Sequence, residues 1–122
     1  MKKLSIITVT YNSEKYLAEC IESVIGQTYP NIEHIIIDGK SKDATVSIIQ
    51  KYSNHIARWV SETDRGMYDA INKGLEMASG DFVGILNSDD MLDTPGVIAA
   101  IVKAFEENNT DAVYGDLEYV YQ

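Results

Sequence analysis

"LSIITVTYNSEKYLAECIESVIGQTYPNIEHIIID" (residues 4–38) changes its hydrophobic period twice, and those two changes decide the architecture. Residues 4–10 are a short β-branched run that ends at Tyr11-Asn12, the pattern of a buried strand. Tyr16, Leu17, Cys20, Ile21, Val24 and Ile25 then recur at helical spacing. Asn12 or Ser13 can cap that helix, and Gly26 with Pro30 marks its stop. Residues 33–38 return to an apolar strand, so the stretch reads as a βαβ unit.

The alternation continues along the chain. A helix is expected near 44–52 with Asp43 as its cap, then a weaker strand at 57–62. A helix follows whose apolar stripe runs Met67, Ala70, Ile71, Gly74, Leu75 and Ala78, ending at Ser79-Gly80. "FVGIL" (82–86) is the fourth strand. Thr94-Pro95 starts a helix with Val97, Ile98, Ile101, Val102 and Phe105 on its buried face, and residues 111–122 close the chain with one strand or two. Apolar strands separated by amphipathic helices predict one α/β domain over 1–122, a doubly wound, mostly parallel sheet with helices on both faces.

Charge narrows the partners. Nineteen acidic residues against ten basic ones give −9, which repels a polyanion, so nucleic acid is not expected. A small anionic ligand needs local positive charge, and a divalent cation held by carboxylates supplies it. No apolar run approaches the roughly 18–20 residues of a membrane span, and "MKKLSIITVTYN" lacks a signal-peptide cleavage site; the expected compartment is the cytoplasm. Cys20 is the sole cysteine and reads as a buried, inert thiol, which excludes Cys/His-type metal sites. Neither a Gly-x-Gly-x-x-Gly nor a Gly-Lys-Ser/Thr motif is present, and His34 and His55 have no placed partners for a nucleophilic triad.

In such a sheet the ligand crevice lies beyond the carboxyl ends of the strands. Those ends carry Thr8, Thr10, Tyr11 and Asn12; Asp38, Gly39 and Ser41; Glu62, Asp64 and Arg65; and Asn87, Ser88, Asp89 and Asp90. Singly, each has a structural reading: Asp43 as a cap, Glu62 and Asp64 as solvated loop residues, Thr8 as a β-branched strand residue. The Asp89-Asp90 pair stands apart, because adjacent carboxylates repel each other and gain by sharing Mg²⁺ or Mn²⁺; a loop cap is the alternative.

"SIITVTYN" (5–12), "IIIDGKSKDAT" (35–45) and "ETDRGMYDAINKGLEMASGDFVGILNSDD" (62–90), in this order and spacing, resemble the family 2 glycosyltransferases, inverting enzymes of the GT-A fold. The "GMYDAINKG" form resembles the bacterial enzymes that build cell-surface polysaccharides. The resemblance implies a nucleotide-diphosphate-sugar donor, usually carrying uridine, and a divalent metal, Mg²⁺ or Mn²⁺. It implies transfer of a hexose or amino sugar to a hydroxyl of a saccharide or lipid-linked saccharide. Carried over by position, Thr8, Tyr11 and Asn12 line the nucleotide pocket, and Asp38 accepts a hydrogen bond from the base. Asp89 approaches the ribose, Asp90 binds the metal, and Arg65 is counted with the donor-binding set.

The chain departs from the family pattern at Asn87, where an aspartate is common, and at Lys40 and Lys42, where smaller residues are usual. The family's catalytic base is expected beyond Gln122, with Asp116 the candidate within the chain. The expectation is therefore a donor-binding half, inactive alone, with a surface open to homo-oligomer formation. For a full-length protein, the inner face of the membrane is the alternative compartment. A non-catalytic nucleotide-binding module is the competing reading, separated from the first by transfer activity. A phosphoacceptor receiver domain is disfavoured because its acidic pair follows the first strand, not the fourth.

Overall fold

A computed structural model describes residues 1–108, 112–114 and 117–121. Strands β1 (Leu4–Thr10), β2 (Ile32–Asp38), β3 (Arg58–Ser61) and β4 (Phe82–Leu86) alternate with helices α1 (Leu17–Ile25), α2 (Thr45–Lys51) and α3 (Met67–Met77). Helix α4 (Val97–Asn108) and strands β5 (Ala112–Tyr114) and β6 (Leu117–Tyr121) follow. Among the described residues the strands form one sheet in the order β3-β2-β1-β4-β6-β5. β1 runs parallel to β2 and β4, and β2 parallel to β3, while β6 is antiparallel to both β4 and β5. The doubly wound, mostly parallel α/β architecture expected from the sequence is the one found.

Period-two alternation explains how one apolar run serves two layers. Leu4 and Ile6 of β1, with Phe82 and Leu86 of β4, pack against Cys20 and Val24 of α1 and the apolar face of α4. Ile7, Ile35, Ile37 and Val83 point to the opposite face and meet Ala70 of α3. Ile36 joins Leu17, Ile21 and Ile49 from α1 and α2. Burying each such side chain contributes roughly 1.5–3 kcal/mol, and neither face leaves room for polar alternation. Phe82 and Phe105 stack with ring centroids 4.7 Å apart. Gly74 lets α3 sit directly on β1, because a Cβ there would lie 2.6 Å from Ile7 Cγ2.

Three local expectations are corrected. α1 starts at Leu17 with no side-chain cap, because Asn12 Oδ1 accepts the Lys42 N–H and the Ser13 hydroxyl accepts the Tyr11 N–H instead. Of the α3 stripe, Ala70 and Gly74 are buried, whereas Met67 is 59% exposed. Met67 sits at the start of the helix, where a cleft takes the place of the sheet beneath it. The last helix begins two residues after Pro95, at Val97. Asp43 does accept the Thr45 N–H at 2.9 Å, in the first turn of α2. No described helix is long and apolar enough to cross a membrane.

Candidate functional site

The parallel register brings Thr10, Asp38 and Ser61 side by side at the ends of β1, β2 and β3. The hydroxyls of Thr10 and Ser41 donate to Asp38 Oδ1, each at 2.6 Å. Oδ2 accepts the Ser41 N–H at 2.9 Å and the Ser61 hydroxyl at 2.8 Å. A carboxylate offers about four acceptor positions, and here all are used. Burial raises the pKa of this carboxyl, but the hydrogen bonds from Ser41, Thr10 and Ser61 outweigh it and hold the group below its ordinary 3.8. Asp38 is 0% exposed. Asp38 clamps three strand ends together.

The loops above that clamp are cross-stitched. The Asn12 N–H donates to the Ser41 hydroxyl at 2.8 Å, and Asn12 Oδ1 accepts the Lys42 N–H at 2.9 Å. The Ser13 N–H reaches Thr45 Oγ1 at 2.7 Å, and the Ser88 hydroxyl donates to that of Ser13 at 3.1 Å. Asn12 (φ 49°) and Lys40 (φ 61°) occupy the left-handed region. Asparagine tolerates it, but for lysine it costs on the order of 1 kcal/mol, a strain concentrated where strand ends meet loops.

These loops and the start of α3 enclose a cleft of about 630 Å³, whose walls include Tyr11, Gly39, Lys40, Lys42, Asp64 and Met67. A second lobe of about 430 Å³ shares Val9, Ser13, Met67 and Ser88 with it and adds Asn12, Lys15 and Asp89. Tyr11 is 60% exposed, so its ring is available to a ligand. Three lysines around the two lobes give an acidic chain a local positive rim.

Residues 87–90 form a turn after β4 closed by the Asp90 N–H to the Asn87 carbonyl at 3.1 Å. Asp89 is exposed and Asp90 half-buried. Beneath the turn, burial pushes the Cys20 thiol up to about 12; a hydrogen bond with Thr8 works against this, and the Asp90 and Asp89 charges add to it. The thiol is buried and inert at neutral pH, as expected. No group of three or more Asp, Glu, His or Cys side chains placed to hold a metal occurs among the described residues. Two adjacent carboxylates still fit Mg²⁺ or Mn²⁺, since such ions take one or two protein oxygens and leave the remaining positions to phosphate and water.

The other expected site residues separate cleanly. Tyr11, Asn12 and Asp89 line the clefts. Thr8 does not: it is 0% exposed, faces α1, and its hydroxyl lies 2.9 Å from His34 Nε2, while Val9 and Thr10 take its place at the cleft. Arg65 is exposed but lines neither lobe; its N–H donates to Asp69 Oδ2 at 2.9 Å. Asp116 lies outside the described residues. Gly39 and Asp64 were placed at the crevice as strand-end residues without a role in donor binding, and Lys15 and Met67 were not placed there. For Asp64 the signal was its place just after β3, which a solvated loop residue shares.

The model of the family described as Glycosyl transferase family 2 matches residues 5–122. An uncharacterised glycosyltransferase of Mycobacterium tuberculosis is 41% identical over 102 residues, covering 83% of this chain and 39% of the relative. Staphylococcus aureus TarS, solved in complex with UDP-GlcNAc, superposes with a TM-score of 0.82 at 31% identity, over 89% of this chain and 32% of that one. The mannosyltransferase PcManGT from Pyrobaculum calidifontis, solved in complex with GDP-Man and Mn²⁺, superposes with a TM-score of 0.89 at 21% identity, over 98% of this chain and 44% of that one. This last likeness is one of fold. The chain spans less than half the length of the curated relatives it matches.

Proposed function

We propose, from the premise that this chain belongs to glycosyl transferase family 2, that it binds a uridine-diphosphate sugar together with Mg²⁺ or Mn²⁺. In the whole protein the bound donor passes a hexosyl or aminohexosyl group to a hydroxyl of a saccharide or lipid-linked saccharide in glycan synthesis. The observation that carries the reading is the two-lobed cleft at the strand ends, with an exposed tyrosine and two lysines on one lobe and an acid-bearing turn on the other. Its size suits a ligand of this class. TarS, 31% identical and solved with UDP-GlcNAc, supports the choice of uridine.

Each wall then has a task. The Tyr11 ring offers a face on which the base stacks. Lys40, Lys42 and Lys15 lower the cost of bringing a diphosphate to a chain of net charge −9. Asp90 holds the cation, and Asp89, on the second lobe, approaches the ribose. When bound, the metal neutralises charge that develops on the departing UDP. The cross-stitched loops keep these groups in place before the ligand arrives, which lowers the ordering cost of binding.

A thermal-shift panel of UDP, GDP, CDP and ADP, each with and without Mn²⁺, tests the proposal. A ligand at 100 times its dissociation constant stabilises by roughly 2.7 kcal/mol. UDP with Mn²⁺ is expected to raise the melting temperature most. A panel in which no nucleotide shifts it would overturn the reading.

A further inference from the structure

Thr8 on β1, Cys20 on α1 and His34 on β2 are buried, and none of them lines either lobe of the cleft. Their polar atoms are joined to one another instead. Thr8 Oγ1 lies 2.9 Å from His34 Nε2 and is hydrogen-bonded to the Cys20 thiol. Cys20 Sγ donates to the Asn87 carbonyl at 3.6 Å, and that same carbonyl accepts the Asp90 N–H at 3.1 Å. The series runs from β2 through β1 and α1 to the turn that carries Asp89 and Asp90.

One orphaned atom gives the series a direction. Burial keeps the His34 imidazole neutral, so its ring carries a single N–H, and Nδ1 has no partner among the described residues. With the proton on Nδ1 a buried donor would go unpaired; with it on Nε2 only a lone pair does, which is the less costly deficit. Nε2–H therefore donates to Thr8 Oγ1. The Thr8 hydroxyl has one proton, and it is then directed at Cys20 Sγ, while the thiol proton goes to Asn87. A lone S–H is a weak donor, and a bond arriving at the sulfur strengthens it.

We propose that His34, Thr8 and Cys20 are positioning residues, a one-way series of hydrogen bonds that holds the Asn87 carbonyl, and through it the Asp89-Asp90 turn, in place for the cation. The proposal rests on the metal and nucleotide reading above and deepens it by naming what supports the metal-bearing turn from within the core. It also gives Thr8 a task toward the ligand although its side chain faces away from the cleft.

Two measurements test it. In the ligand-free protein at neutral pH, ¹⁵N NMR of labelled histidine should show His34 as the Nε2–H tautomer; the Nδ1–H tautomer would reverse the series and overturn the proposal. Calorimetric titration of UDP in Mn²⁺ and in EDTA, with urea unfolding alongside, then compares the unsubstituted protein with Thr8→Val, Thr8→Ser and Cys20→Ala. Valine keeps the shape of threonine and loses the hydroxyl, whereas serine keeps the hydroxyl. Thr8→Val should cut the ratio of UDP affinity in Mn²⁺ to that in EDTA by roughly fivefold, less than the roughly 10–100-fold that follows loss of a ligand's immediate partner. Cys20→Ala should reproduce that loss, and Thr8→Ser should keep the ratio. If Thr8→Val and Cys20→Ala keep the ratio, or weaken UDP equally in Mn²⁺ and EDTA, the three residues are core packing only and the proposal fails. If the unsubstituted protein binds UDP with no dependence on Mn²⁺, or not at all, the reading it rests on fails, and this proposal with it.

Discussion

β2 and β4 flank β1, and each ends near acids that look alike in sequence: "HIIID" at 34–38 and "FVGILNSDD" at 82–90. In the structure they have opposite characters. Asp38 is the last residue of its strand, in register with Thr10 and Ser61, and its neighbours use all of its acceptor capacity. Asp89 lies three residues beyond β4 and is exposed, and no strand among the described residues supplies it a donor. The acid held in strand register is ringed by the fold's own donors, and the one projected past the strand end is exposed.

The largest expected effect lies on the consumed side. Asp38→Ala removes the partner of three hydroxyls and one amide, one of them buried and the others partly buried, and should cost about 4 kcal/mol in urea unfolding. A loss under about 1 kcal/mol would erase the contrast between the two acids.

Acid should sharpen the same contrast. Burial holds the His34 imidazole at about 4, down from 6.5, with Nδ1 lacking a partner among the described residues and Nε2 beside Thr8. The unfolded chain takes up this proton below 6.5 and the folded chain does not until about 4, so stability is full above 6.5 and falls between those values. The loss should be on the order of 3 kcal/mol. Asp38, held below 3.8, adds a later loss: its contribution is present above 3.8 and disappears as pH falls through its lower folded value. His34→Gln should flatten the early part of the curve; an unchanged slope between pH 4 and 6.5 would refute the burial argument.

On the open side the effects are smaller and are read in ligand affinity. Asp89→Ala should weaken UDP about tenfold through the lost ribose contact, measured by calorimetry with Mn²⁺ present. Its effect on unfolding free energy should stay within about 0.5 kcal/mol, since the side chain is exposed. A larger loss of stability would place Asp89 with Asp38 among the structural acids.

Much of the fold was legible because burial on both faces leaves continuous apolar runs, and β1, β2 and β4 were read within a residue of their ends. That same property hid which face a residue takes. With no polar alternation along β1, Thr8 and Val9 were indistinguishable, and only packing against α1 shows that Thr8 points away from the cleft. Asp38 was located correctly at a strand end, but its saturation depends on Thr10 and Ser61, distant in sequence and adjacent only through register. Asp64 was placed at the crevice but read as a solvated loop residue for a similar reason. Its closeness to Gly39 arises where the loop after β3 meets the loop after β2, and no local pattern encodes that approach.

The central claim is that the carboxylates after β4, through a cation, let an acidic chain take an anionic nucleotide. The most direct measurement is calorimetric titration of UDP into the protein in Mn²⁺ and again in EDTA, repeated with Asp90→Ala. The account predicts binding at least tenfold tighter in Mn²⁺ than in EDTA, and a folded Asp90→Ala variant that has lost this difference. Equally tight UDP binding in EDTA, or a metal dependence that survives Asp90→Ala, would contradict it.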